Sequence, residues 1–339
     1  MRLSRRVLVA NRLHRLRLSS VLFRSVPLWG IDEILYMHYF QGMPGFALTT
    51  DRLRPRAFLL FFFCYVFLTA QGFAWGPAGH RWITNRAMDN LEGRFQELFS
   101  KHRSTVVQQT MGPDYRKDQD PEEPSRHFID LELYGEFPFS DLDLNYDRLV
   151  VRWGKERVEK NGTLPWIVQR TFERLTEAFQ RQDLERILHY SADLSHYVGD
   201  LHQPFHTTEN FDGQLTGQLG IHSRFESDLV NRYLEQVPFS KAAPTDLGPV
   251  MGQLHNVAVE SYQWVDDILL ADRRVVSELE IDRKQYLGKA NKGKKYPDQY
   301  FQRMFDEVGG VLGNRLNQAA YRVGCLLWMA WEKSGQPNF

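Results

Sequence analysis

From Trp75 onward, apolar residues recur at three- and four-residue intervals, the pattern of helices buried on one face. Ile83, Ala87, Leu91, Phe95 and Leu98 share one such face. Asp147 to Lys160 reads as a charged helix that Asn161-Gly162 stops. Residues 163–182 predict an amphipathic helix burying Trp166, Val168, Phe172, Leu175 and Phe179, and Leu184 to Leu201 predicts the next. Helical patterns also cover 247–272 and about 311–332. The last is apolar on most faces and predicts a central core helix. Stretches 111–130 (rich in proline and acids), 207–221 (Gly, Thr, Asn) and 289–300 (Lys) predict loops. No period-two alternation is sustained and no internal repeat is found, so the pattern predicts an all-α, single multi-helix domain.

Upstream the pattern changes. Residues 1–50 are Arg-rich without a sustained period and stay unassigned, with Met43 available as a start. Residues 51–74 run from Arg52, Arg54 and Arg56 through the apolar stretch Ala57 to Ala70, then to the small residues Gly72 and Ala74. That order is the layout of a signal peptide and predicts a secreted or periplasmic protein. An uncleaved membrane anchor is the alternative, although the apolar run is short for a span. Cleavage after Ala74 leaves residues 75–339 as the mature domain, and Trp75 as its first residue with a free α-amine to chelate a metal.

Charge modifies this picture only when divided along the chain. Lys+Arg and Asp+Glu each number 42, yet residues 75–339 alone carry seven more acids than bases. An acidic surface does not advertise general nucleic-acid binding, but bound cations reverse the local field at a site. Cys64 and Cys325 have no CxxC partner and suggest no disulfide framework.

The candidate chemistry centres on HYVGDLHQPFH, residues 196–206. His196 and Asp200 are four apart, so a helix stacks them on one face. Pro204 stops that helix near His206. Two imidazoles and a carboxylate converging at a helix end look like part of a metal site. His222 and Glu226, in GIHSRFE, form a second histidine–acid pair at the same spacing. His80 opens a helix close to the expected new terminus. Asp114 and His127 can reach inward from the 111–130 loop, where Asp118 and Asp120 read as solvated. His189 reads as structural or superficial, and His202 as facing away from His196, toward solvent or behind the ligands.

Together, Trp75 at a cleaved terminus, PDYRK around Asp114, HFID at His127, HYVGDLHQPFH and GIHSRFE resemble the zinc-dependent phospholipase C group and its relatives, the plant and fungal single-strand nucleases. The resemblance implies an all-α domain with three zinc ions in a cleft. It assigns Asp114, His127, His196 and Asp200 to one zinc. His206, His222 and Glu226 fall to a second. The Trp75 amine and carbonyl, His80 and Asp200 fall to a third, with Asp200 bridging. Histidine and carboxylate ligands without thiolate suit an open hydrolytic site, and Asp114 is the candidate to orient or deprotonate the attacking water. Three zinc ions against three ligand carboxylates leave the cleft cationic, which suits an anionic phosphodiester.

Glu226 and Tyr115 resemble the phospholipase branch, so a phospholipase C-like activity, with contact to a membrane surface, is the first expectation. Gly76, Pro77, Ala78 and Pro124 stand where that branch has an acid and an aromatic residue. The short Trp75–His80 spacing resembles the nucleases instead. Phe128 and Asp130 are placed to stack on and hydrogen-bond a nucleobase, making a single-strand nuclease or 3′-nucleotidase the alternative. A secreted metal-binding protein without turnover is the reading from another class. A monomer without a stable protein partner is expected.

Overall fold

The C-terminal half of the helix that carries His196 and Asp200 is buried on every face. The computed structural model of the chain describes residues 75–287 and 293–339. The assignments made for residues 1–50 and 51–74 therefore lie outside the described residues. Among the described residues the regular elements are helical, in agreement with an all-α fold.

In chain order come α1 (Gly76–Asp89), α2 (Gly93–Gln109), the short α3 (Gly112–Arg116), α4 (Tyr146–Trp153), α5 (Lys155–Lys160), α6 (Leu164–Gln180) and α7 (Leu184–Leu201). After a long loop follow α8 (Ile221–Ser223), a π-helical segment (Arg224–Leu229) and α9 (Val230–Tyr233). The chain then forms α10 (Val250–Tyr262), α11 (Val265–Glu278) and α12 (Asp298–Lys333).

α6 and α7 form a helical hairpin. Gln182 sits at positive φ in the turn, and the Asp183 side chain caps α7 by accepting from the Arg186 N–H (3.1 Å). α6 buries Trp166, Val168, Phe172, Leu175 and Phe179, the face expected from its periodicity. On α7 every residue from Ser191 to Leu201 is buried. A helix enclosed on all sides cannot leave its polar groups to water, so His196 and Asp200 must find partners inside the protein. α1 and α2 pack against α7 from one side, and the 36-residue α12 crosses α1, α6 and α7 from another. At 1.5 Å per residue α12 is about 54 Å long.

Four elements depart from the sequence reading. The periodic positions Ile83, Ala87, Leu91, Phe95 and Leu98 are all buried but divided between two helices, because α1 ends at Asp89 and α2 begins at Gly93. The charged helix Asp147–Lys160 breaks at Gly154, whose φ of 82° ends α4 and starts α5. The 247–272 pattern is two helices separated at Gln263 and Trp264. The core helix starts at Asp298 rather than near 311. Residues 111–130 are also more ordered than a surface loop, since they contain α3 and a 3₁₀ turn, Glu123–His127.

Candidate metal centre

Seven elements deliver the candidate ligands. Asp114 projects from α3 and His127 ends the 3₁₀ turn. His196 and Asp200 come from α7, His80 from α1, and His206 from the short turn Pro204–His206. His222 and Glu226 span the junction of α8 with the π segment. All eight side chains are buried.

They gather into three clusters: Asp114 with His127 and His196; His80 with His196 and Asp200; and His206 with His222 and Glu226. In the first, His127 Nδ1 lies 3.2 Å from His196 Nε2 and 2.8 Å from Asp200 Oδ2, and Asp114 Oδ1 lies 3.7 Å from His196 Nε2. In the second, His80 Nε2 is 3.2 Å from Asp200 Oδ1, and the His80 and His196 rings stack with centroids 4.0 Å apart. In the third, His222 Nε2 lies 3.0 Å from His206 Nε2 and 2.8 Å from Glu226 Oε2. Gly199 permits the ring stack, because a Cβ there would sit 3.0 Å from His80 Nδ1.

Backbone carbonyls fix two of the tautomers. His196 Nδ1 donates to Thr110 O (2.8 Å) and His206 Nδ1 to His127 O (2.5 Å). A carbonyl only accepts, so both Nε2 atoms present lone pairs to their clusters. Each meets another imidazole nitrogen at hydrogen-bond distance, beside a carboxylate. Asp114 Oδ2 is buried with no hydrogen-bond partner, an unusual state for a buried carboxylate oxygen. Lone pairs and carboxylate oxygens without enough protons between them are the donor set that divalent cations complete, and the N/O composition suits zinc.

The electrostatics agree. Burial, followed by the neighbouring imidazoles, drives His196 and His206 well below the usual histidine range and keeps them neutral. Burial tends to lower His222 too, but Glu226 outweighs it and raises that ring. Burial pushes Asp200 up to about 7 despite the bond from His127. Neutral imidazoles and a carboxylate short of positive charge are what a cation stabilises.

Since His196 Nδ1 is committed to Thr110, its single Nε2 lone pair serves one cation. His196 belongs to both the first and the second cluster, and only one of them can take that lone pair. Trp75 reaches the same segment of α7. It is fully buried, and its indole Nε1 donates to Gly199 O (2.7 Å), one residue from Asp200. Its carbonyl accepts from Gly79 N (3.2 Å).

The substrate candidates divide. Tyr115 is 61% exposed, unlike the buried Asp114 before it. Phe128 and Asp130 flank the fully buried Ile129 and are themselves half-buried, with the Phe128 ring against Gly162. Burial, helped by Glu132 and Glu209, pushes Asp130 up to about 7. Asp118 is exposed, and Asp120 pairs with Arg126 (2.7 Å). His189 is superficial and pairs with Asp193 (3.5 Å). His202 corrects its expectation in part: it is fully buried rather than solvent-facing, with Nδ1 donating to Val198 O (2.7 Å) and Nε2 accepting from Arg322 (2.9 Å).

Several supporting residues were not anticipated. Lys117 Nζ sits 2.7 Å from Asp114 Oδ1, with its side chain only 6% exposed. Gln203 donates to Glu226 Oε2 (3.1 Å) and accepts from Phe205 N. Glu123 is fully buried, and although burial would raise it, the facing His127 ring, the Tyr197 hydroxyl and two arginines hold it at about 2. The four-residue Glu123–His127 spacing was visible in the sequence, but it was hidden among the acids of a stretch read as a surface loop.

A family model described as S1/P1 Nuclease matches residues 75–331. No curated protein sequence matches the chain. The chain belongs to the S1/P1 nuclease family, and it is accordingly a zinc-dependent hydrolase of phosphodiester bonds.

Proposed function

We propose that this S1/P1 nuclease family member hydrolyses single-stranded nucleic acid, or the phosphate ester of a 3′-nucleotide, at the buried His/Asp/Glu centre. The observation that carries this reading is the three-cluster ligand set lying within the span of the family match. Phospholipase C activity, the first expectation, is set aside in favour of its alternative. The match is to nucleases, and Tyr115, which suggested a lipid headgroup pocket, is exposed. Contact with phospholipid or with a membrane surface has no support from either observation. Non-catalytic metal binding is disfavoured by the same family membership.

The ligand assignment we favour gives Asp114, His127, His196 and Asp200 to one zinc. A second takes His206, His222 and Glu226, and a third takes His80, Asp200 and the Trp75 backbone. Bound zinc supplies Lewis acidity and a water whose pKa falls to about 7. Asp114 Oδ2, without another partner, is the acceptor that orients such a water. The Lys117 ammonium adds a fixed positive charge beside Asp114 for the phosphate. Phe128 offers a ring face to a base, and Asp130 accepts from, or when protonated donates to, that base's edge. Secretion after cleavage at Ala74 completes the proposal. Among the described residues no helix is long and apolar enough to cross a membrane.

The test is a paired assay of zinc-loaded mature protein on single-stranded RNA and on phosphatidylcholine. Nucleotide release without phosphocholine release is expected. Phosphocholine release without nucleotides restores the phospholipase reading.

A further inference from the structure

A buried ionic network lies behind the first cluster, on the side away from the other ligands. Glu123 is its centre. Its Oε2 accepts from Arg126 (2.7 Å) and faces Arg116 Nε at 3.5 Å. Its Oε1 accepts from the Tyr197 hydroxyl and stands 3.5 Å from His127 Nε2. Arg116 also binds Asp193 (2.9 Å) and Tyr197 (3.2 Å). The network therefore joins the three elements that present the cluster: α3 through Arg116, two residues after Asp114; the 3₁₀ turn through Glu123 and Arg126; and α7 through Asp193 and Tyr197, beside His196.

We infer that Glu123 is a positioning residue for the metal centre, orienting His127 so that Nε2 carries the proton and Nδ1 presents its lone pair to the cation. The geometry is directional. His127 Nδ1 faces Asp200, His196 and Asp114, at 2.8, 3.2 and 3.8 Å. Nε2, at the opposite end of the ring, is buried with no formed hydrogen bond, and the Glu123 carboxylate is the acidic group that faces it. The 3.5 Å separation is a few tenths of an ångström longer than a formed N–H···O bond. A ring drawn onto a cation through Nδ1 has its Nε2–H directed at that carboxylate, and a carboxylate behind a ligand histidine raises the ring's basicity. Two arginines and the Tyr197 hydroxyl anchor the Glu123 carboxylate from the sides away from His127.

This inference rests on the zinc reading above, and the experiment separates the two. Zinc affinity is measured by competition with a chromophoric chelator for wild type, Glu123→Gln and Tyr197→Phe. The melting temperature of each metal-free protein reports on folding. Wild type that holds no zinc overturns the site reading itself. With wild type loaded, Glu123→Gln is expected to bind its weakest zinc about 10- to 100-fold less tightly, the other zincs being retained. Tyr197→Phe keeps the carboxylate facing His127 and is expected to stay near wild type. Unchanged affinity in Glu123→Gln overturns the inference. So does an equal loss in both variants, because loosened packing would then be the cause. Nitrogen-15 spectra of the zinc-loaded wild type give a readout independent of any variant. A protonated His127 Nε2 supports the assignment, and zinc on Nε2 overturns it.

Discussion

At the scale of single residues, Asp200 and His206 make a contrast. Asp200 offers one oxygen toward His80 and the other toward His127, so it borders two clusters, whereas His206 lies in one. Asp200→Asn is expected to lower the zinc content by two per chain, and His206→Ala by one. Elemental analysis after gel filtration checks this, and equal single-zinc losses would count against bridging. These ligands were legible in the sequence because their chemistry is bound to spacing: His196, Asp200 and His206 are placed by one helix and its proline stop. Glu123, Lys117 and Thr110 were not legible. Glu123 and Lys117 lie four and three residues from His127 and Asp114, inside a stretch that reads as a surface loop, and Thr110 meets His196 only where the end of α2 docks against α7.

At the scale of elements, the His222–Glu226 pair depends on a segment wound as a π-helix, a geometry that is rare and frequent at functional sites. Arg224, between the two ligands, fastens it. Its guanidinium donates to Gln218 O (3.1 Å), Leu219 O (2.9 Å) and the Tyr300 hydroxyl (3.1 Å), and faces Asp272 at 3.5 Å. Asp272 is fully buried and also accepts from Arg283 (2.7 Å), Gln218 (2.6 Å) and Tyr300 (2.6 Å). Asp272→Ala leaves Arg224 buried without its carboxylate, which costs about 3–5 kcal/mol in comparable cases. Urea unfolding is expected to show that loss together with weaker zinc binding at His222. Burial alone would raise the Asp272 pKa, yet Arg224, Arg283, Tyr300 and Gln218 outweigh it and the pKa is lowered. Its stabilisation is therefore complete above the unfolded carboxylate value of about 3.9 and disappears as pH falls through the lower folded value. An acid titration of wild type should show this loss and Asp272→Ala should not. Helix boundaries were legible where caps were strong. α7 runs from Leu184 to Leu201 as expected, behind the Asp183 cap. They were obscured where glycines mislead. Gly309, Gly310 and Gly313 lie inside α12 without breaking it, because its flanking turns are held by packing, while Gly154 breaks α4 from α5.

At the scale of the whole molecule, the fold class was legible because every long apolar pattern had a helical period, but the way the first mature residue enters the core was not. Trp75 is fully buried, tied by its indole to α7, and has a φ of 44°. For a residue other than glycine that left-handed value brings the preceding carbonyl into conflict with Cβ, at a cost of order 1–3 kcal/mol. Under the proposed cleavage after Ala74, Trp75 would have no preceding carbonyl and no such conflict, so the cut would relieve strain where it frees the Trp75 α-amine. That proposal couples processing to metal loading: an uncleaved chain would offer an amide nitrogen, which is a poor ligand, and a chain beginning at Trp75 an amine. Protein starting at Trp75 is expected to hold one more zinc than protein retaining residues 43–74, and to melt at a higher temperature in zinc but not in chelator, since a ligand stabilises only the state that binds it. N-terminal sequencing with metal analysis on both forms reads the outcome. Equal zinc content would remove Trp75 from the ligand set and leave His80 and Asp200 to complete their cluster with His196.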